Sequence, residues 1–163
     1  MISEYREKPE LEKLVVLIRE IWQEYYTPLI GAAQVEYMLE IFQSVDAIMH
    51  QIANENYRYY GVLCDGELAG YYAAKHSGND RVFLSKLYVA AKYRGSGLGK
   101  EMLQHLINAA RTIGGKTIWL TVNKHNSTVN IYRKLGFITT GEVVTDIGNG
   151  YVMDDYVMEK RIA

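Results

Sequence analysis

The hydrophobic period of this chain changes partway along it, and that change restricts the fold more than any other feature. Up to about residue 54, apolar side chains recur every three or four positions; from Tyr57 on they cluster in short runs between turn residues. Leu11, Leu14, Val15, Ile18, Ile21, Trp22 and Tyr25 make one stripe, which predicts a helix starting near Pro9 and ending before Pro28. A second helical stretch is expected from Ala32 into the Asn54 region, broken near Ser44, whose hydroxyl suits an N-cap. The aromatic and aliphatic runs Tyr57–Cys64 and Glu67–His76 then flank Asp65-Gly66, the dipeptide that best supplies the positive backbone angles of a tight hairpin.

After a polar turn at Ser77–Asp80, Arg81–Val89 reads as a third strand. Leu98, Met102, Leu103, Leu106, Ala110 and Ile113 then resume the helix period, which Gly114-Gly115 stops. Thr117–Val122 is a short strand and Ser127–Leu135 a short helix closed by Gly136. Phe137–Thr145 and Tyr151–Lys160 form a terminal hairpin about Gly148-Asn149-Gly150. This order describes an α/β (α+β) mixed sheet with helices packed on it. No linker or repeat interrupts it, so residues 1–163 read as a single domain.

Composition closes off other classes. With 48% hydrophobic and 23% charged residues the chain can bury a core, which excludes disorder. Its 18 basic and 19 acidic residues leave a formal charge of -1, so no overall field attracts nucleic acid or an anionic membrane, and neither is expected as a partner. The longest uncharged run, Tyr25–Val35, contains Pro28 and Gly31 and falls short of the roughly 20 residues that span a bilayer. Glu4, Arg6, Glu7 and Lys8 stand where a secretory signal would be apolar, and Cys64 has no second cysteine to pair with. A reducing cytoplasm is the expected location. His50, His76, His105 and His125 lack metal-ligand spacing, so no metal is expected; His105 is read as exposed on its helix and Cys64 as a small buried hydrophobe.

The segment that points to chemistry is Val89-Ala90-Ala91-Lys92-Tyr93-Arg94-Gly95-Ser96-Gly97-Leu98-Gly99-Lys100, between a strand and an amphipathic helix. Glycines let a ligand approach the main chain, and the first helical turn leaves amide N–H groups unpaired, so this is an anion site suited to a pyrophosphate, with Arg94 and Lys100 adding charge. Glycine turns also serve purely structural ends, and the segment alone leaves both readings open. A Walker A loop fails because Arg94 stands at its first glycine and Glu101 replaces its hydroxyl. A dinucleotide fingerprint fails because the spacing is G-x-G-x-G and no acid lies between Glu101 and Glu142.

Arg94-x-x-Gly97-x-Gly99, after a strand ending in Leu87-Tyr88-Val89, resembles the Q/R-x-x-G-x-G/A pyrophosphate loop of the GNAT N-acetyltransferase superfamily. About forty residues on, Tyr132-Arg133-Lys134-Leu135-Gly136-Phe137 resembles that family's Tyr-x-x-x-Gly-Phe segment. Met153-Asp154-Asp155-Tyr156-Val157-Met158 is similar, less specifically, to the closing hairpin of bacterial members, some polyamine acetyltransferases among them. The resemblance implies a GNAT-like fold: a largely antiparallel central sheet with a splayed parallel strand pair and flanking helices. It further implies acetyl-CoA as cosubstrate without a metal, a small-molecule or peptide amine as acceptor, and compatibility with a homodimer.

Residue by residue, the resemblance implies that the loop from Arg94 through Gly95, Ser96, Gly97, Leu98 and Gly99 to Lys100 holds the pyrophosphate. The open main chain at Leu87 and Val89 would pair with pantetheine in a cleft between Val89 and Val122, the Val89 amide would stabilise the oxyanion, and Tyr88 and Lys134 would join the cofactor set. Tyr132 matches the residue near the cofactor sulfur that can protonate the thiolate, against the alternative of a core aromatic among 14 tyrosines. Members often carry an Asn seven residues before that Tyr to contact pantetheine; here His125 holds that position, and Asn126, six before, is the favoured match. Members with a glutamate base in the strand before the loop differ from Phe83-Leu84-Ser85-Lys86, so the base is unassigned and a water relay is one option.

Glu36, Glu40, Asp146, Asp154 and Asp155, with Tyr25, Tyr26 and Tyr37, lie in the parts that shape the acceptor entrance. They suit a cationic amine or polyamine, or are simply a solvated acidic surface. Rival readings are a non-catalytic acyl-CoA-binding module that keeps the loop and dispenses with Tyr132, and a nucleotide-binding protein.

Overall fold

Glu7 opens the first helix: its backbone N–H donates to the Glu10 carboxylate at 3.1 Å, and Pro9 fills the first turn, where its missing N–H costs nothing. The computed structural model describes residues 1–163. Helix α1 runs Lys8–Ile30, past the stop expected before Pro28. Proline there removes only a bond from the last turn, and the Gly31 N–H still donates to the Thr27 carbonyl at 3.0 Å, so the helix ends at Gly31, with φ of 87°. Helix α2 (Ala32–Phe42) and helix α3 (Val45–Asn54) follow, separated at Ser44, whose hydroxyl accepts from the Ala47 N–H at 3.1 Å.

The strands are β1 (Ile2–Tyr5), β2 (Arg58–Cys64), β3 (Glu67–His76), β4 (Arg81–Val89), β5 (Thr117–Asn123), β6 (Ile138–Gly148) and β7 (Tyr151–Arg161). Helix α4 (Leu98–Thr112) joins β4 to β5, and helix α5 (Thr128–Lys134) joins β5 to β6. They form one sheet in the order β1-β2-β3-β4-β5-β7-β6, antiparallel except for β4 with β5. Strand β1, absent from the sequence reading, pairs along the edge of β2 with Ile2 opposite Val62.

Each face of the sheet carries its own core, because adjacent strand residues point opposite ways. Tyr72, Leu84, Ile118, Leu120 and Met158 pack under α4 and α5 with Met102, Leu106 and Phe137. Tyr59, Tyr71 and Ala73 pack under α1–α3 with Leu14, Ile18, Trp22 and Met38. His105, expected to be exposed, instead half-buries beside the stripe of α4 and bonds to the Tyr72 hydroxyl at 2.7 Å, because β2 and β3 present Tyr60 and Tyr72 at its edge. Cys64 is half-buried.

The parallel pair matters most for function. Only Arg81–Phe83 pairs with Thr117–Trp119; beyond that the two strands separate. A register shift in the β3–β4 ladder between Ala73 and Ala74 leaves Ser85 unpaired, and such a bulge sharpens local twist, which turns β4 away from β5.

Candidate active site

The separated strands leave a cleft, and the ladder settles which backbone groups line it. The Ala90 N–H donates to the Ala69 carbonyl at 2.8 Å, so Ala69 and Ala90 are a hydrogen-bonded pair. Antiparallel alternation then turns the backbone of Tyr88 toward β3 and the N–H and C=O groups of Leu87 and Val89 away from it, into the cleft. The Tyr88 side chain also points elsewhere, onto Trp22, Tyr25 and Tyr26 of α1. Of the three residues expected to meet the cofactor, Leu87 and Val89 therefore face the cleft and Tyr88 faces the opposite layer.

The glycine turn stands at the cleft's mouth. Gly95 and Gly97 have φ of 79° and 87°, a region that side chains resist, and nothing lies within 4 Å of where a Cβ on either would be. Gly97 caps α4 without a side-chain partner. The Arg94 N–H is spent on the Ala91 carbonyl, and the next internal bond is from Glu101 to Gly97, so the amides of Gly95, Ser96, Gly97, Leu98, Gly99 and Lys100 remain free. A side chain at Gly99 would reach Leu87 and Val89, at 3.9 and 4.0 Å from its Cβ. Arg94 turns away from this row: its Nε donates to the Val89 carbonyl at 3.0 Å and its guanidinium sits 4.5 Å from the Tyr25 ring centroid, paired with Glu24. It braces the loop against α1, which leaves the row's main chain as the anion donor. Lys100 and Lys134 are exposed.

Across the cleft, Asn126 is buried and His125 exposed. The Asn126 side-chain oxygen accepts from the Thr128 N–H at 2.9 Å, while its Nδ2 is buried without a partner. A buried unpaired amide donor is costly unless something accepts from it, so this atom and the free amide row fit a cofactor with phosphate and amide oxygens. Tyr132 is half-buried on α5, its ring 5.5 Å from Phe137 in an edge-on contact. Burial, and then Tyr26 and Tyr25, raise its hydroxyl far above the ordinary tyrosine range, so it stays protonated and can donate.

Behind the cleft, under α1–α3, is a cavity of about 610 Å³. Tyr26 and Tyr88 reach it from one side, their hydroxyls hydrogen-bonded to each other; Asn123 and Asp155 reach it from β5 and β7, and Lys86 and Tyr57 from the β4 side. Trp22, which lines it, starts a buried chain of bonds that runs from Trp22 to Tyr71, Tyr71 to Gln43 and Gln43 to Tyr59. Of the five carboxylates expected near the entrance, only Asp155 lines the cavity. Glu36 pairs with Arg19, Asp154 pairs with Lys124, and Asp146 accepts from the Gly148 N–H. Asp155 is 4% exposed, and burial, reinforced by Asp154 and opposed by Lys124, pushes its carboxyl up to about 6.

Sequence reading named Asp155 among the entrance carboxylates but did not foresee its burial, although alternation with Met153 and Val157 places it on one face of its strand. It passed over Lys86 too, where a lysine inside a central strand was the available signal.

Residues 15–137 match the model of the acetyltransferase (GNAT) family. Over 85 residues the chain is 34% identical to a streptothricin acetyltransferase of Streptomyces lavendulae, covering 51% of this chain and 45% of that one. Over 96 residues it is 31% identical to a spermine/spermidine N(1)-acetyltransferase of Bacillus subtilis, covering 53% and 63%. These matches thus span less than two thirds of either relative. Among solved structures, the PaiA N-acetyltransferase of Thermoplasma acidophilum, in complex with coenzyme A, shares the fold with a TM-score of 0.81 over 99% of both chains, at 23% identity.

Proposed function

The chain belongs to the acetyltransferase (GNAT) family, and from that premise we propose that it transfers the acetyl group of acetyl-CoA to a primary amine by direct attack. The observation that carries this reading is the row of free amides from Gly95 to Lys100, which opens onto the cleft edge of β4 above a cavity with one buried carboxylate. That one matched relative is named for spermine and spermidine, and another for streptothricin, supports a small-molecule acceptor. The proposed setting is the cytoplasm; no helix of the chain is long and apolar enough to cross a membrane.

When bound, acetyl-CoA supplies an activated acyl thioester. The amides of Gly95–Lys100 and the dipole of α4 hold its diphosphate, and Lys134 and Lys100 add exposed positive charge nearby. Leu87 pairs with its arm through its outward main chain, and Asn126 Nδ2 donates to it. The Val89 N–H stabilises negative charge developing on the acyl oxygen, a contribution often worth about 3 kcal/mol. Asp155, ionised above about 6, receives the acceptor's ammonium and takes its proton directly or through water. Tyr132 keeps its proton at neutral pH and delivers it to the departing thiolate. No activated nucleophile lies in the cleft, in keeping with transfer in one step.

The test is an amine panel with acetyl-CoA, reading thiol release together with the mass of the acetylated product. Matched thiol and product signals support transfer. Tight acetyl-CoA binding with no product from any amine would leave a non-catalytic acyl-CoA-binding module instead.

A further inference from the structure

Resting on the transfer reading, we propose that the acceptor cavity contains an anion subsite formed by Lys86 against Tyr57, with the charge of Lys75 close by at the same ring, so that the acceptor is a small primary amine carrying a carboxylate. The sheet order places this cluster and Asp155 on opposite sides of the β4–β5 opening: Asp155 stands on β7, beyond β5, while Lys86 stands on β4 and Tyr57 precedes β2. An acceptor lying across the opening thus meets opposite charges at its two ends.

Lys86 has no hydrogen-bonding role elsewhere in the fold. It takes no part in any ion pair of the chain, whereas Lys92, Lys116 and Lys124 are each paired. Its Nζ and that of Lys75, which does not itself line the cavity, lie 5.4 and 4.7 Å from the centroid of the same Tyr57 ring, so two like charges gather at one aromatic ring. The acidic group facing them is Glu55, which also lines the cavity but is 45% exposed and stands 3.9 Å from His50 Nε2. A half-buried ammonium facing the cavity near a second lysine gains most from a partner that brings its own negative charge. Burial, reinforced by Lys75 and opposed by Glu55, lowers Lys86 to about 8, so the subsite is charged at neutral pH and fades above that value. The same arrangement works against a diamine, whose second ammonium would have to sit beside Lys86.

The experiment compares three acceptors of one length, 5-aminopentanoate, pentylamine and 1,5-diaminopentane, by kcat/KM at saturating acetyl-CoA. The amino acid is expected to exceed the diamine by about tenfold, the scale of one charge-assisted hydrogen bond. Lys86→Gln should erase that ratio through KM, Lys86→Glu should reverse it, and the wild-type ratio should shrink as pH rises through about 8. Acetyl-CoA affinity of each variant checks its fold, and Lys75→Gln is the second variant should Lys86 changes prove unstable. Calorimetry of 5-aminopentanoate into the coenzyme A complex separates the two layers of the argument. Binding that is lost in Lys86→Gln, with no turnover of any amine, sustains the subsite and removes the transfer reading. Equal turnover of all three acceptors, unaltered by Lys86→Glu, sustains transfer and overturns the subsite; absence of both binding and turnover overturns the subsite and leaves transfer unsupported.

Discussion

On the α4 and α5 face of the sheet, the groups offered to a ligand are mostly main chain: six consecutive amides and the outward backbone of Leu87 and Val89. On the α1–α3 face they are side chains, Tyr26, Lys86, Asn123 and Asp155, drawn from four separate elements. A main-chain site needs one short segment with glycines at fixed places, so it tolerates little variation and leaves a pattern in the letters. A side-chain site is assembled by packing and can be re-specified one residue at a time. The contrast implies that the first face determines the reaction class and the second the acceptor.

The comparison can be broken most decisively at Tyr132, the side chain proposed to move a proton on the cofactor side. Tyr132→Phe should lower turnover by about 10² to 10⁴ while acetyl-CoA affinity measured by calorimetry barely changes. Unaltered turnover would make it a packing residue against Phe137. The next largest effect belongs to the main-chain face. Gly97→Val places a β-branched residue at φ of 87° and directs a side chain into the anion space, and acetyl-CoA binding should weaken by about a hundredfold or more. Normal binding there would contradict the assignment of the loop.

Asp155 sharpens the acceptor side. Its carboxyl is raised in the fold, so protonation favours the folded state below the ordinary aspartate range, and that advantage is lost as pH rises through about 6. Asp155→Asn should therefore stabilise the protein near pH 7 by about 2 kcal/mol, a gain that vanishes near pH 4 in thermal melts. The same variant should flatten the fall of acetylation rate that the wild type shows below about 6; an unchanged profile would take the proton from another group. Smallest is Ser44→Ala, which removes the cap of α3 and should cost about 1 kcal/mol in denaturant titration, with acetyl-CoA affinity unmoved.

Most elements were legible because their signals are local. Asp65-Gly66 and Asn149-Gly150 adopt the positive φ angles their types favour, and Ser44 caps its helix as its hydroxyl allows. What escaped depends on partners distant in the chain. Four residues with a glutamate among them carry no periodicity, so β1 exists only because β2 offers an edge. Pro28 stays helical because it falls within the final turn of α1, and His105 is drawn inward by hydroxyl and ring partners more than 30 residues away.

The order of residues by itself determined a mixed sheet and the strand-to-helix glycine turn, and through that turn the expectation of a phosphate-bearing ligand, since each follows from backbone freedom and hydrogen bonding within a few positions. Tertiary structure decided which groups of β4 face the cleft, that one carboxylate of five enters the cavity, and that Lys86 stands across from it. Those outcomes rest on a bulge, a twist and the burial of charge, and such quantities exist only once separate strands share one sheet.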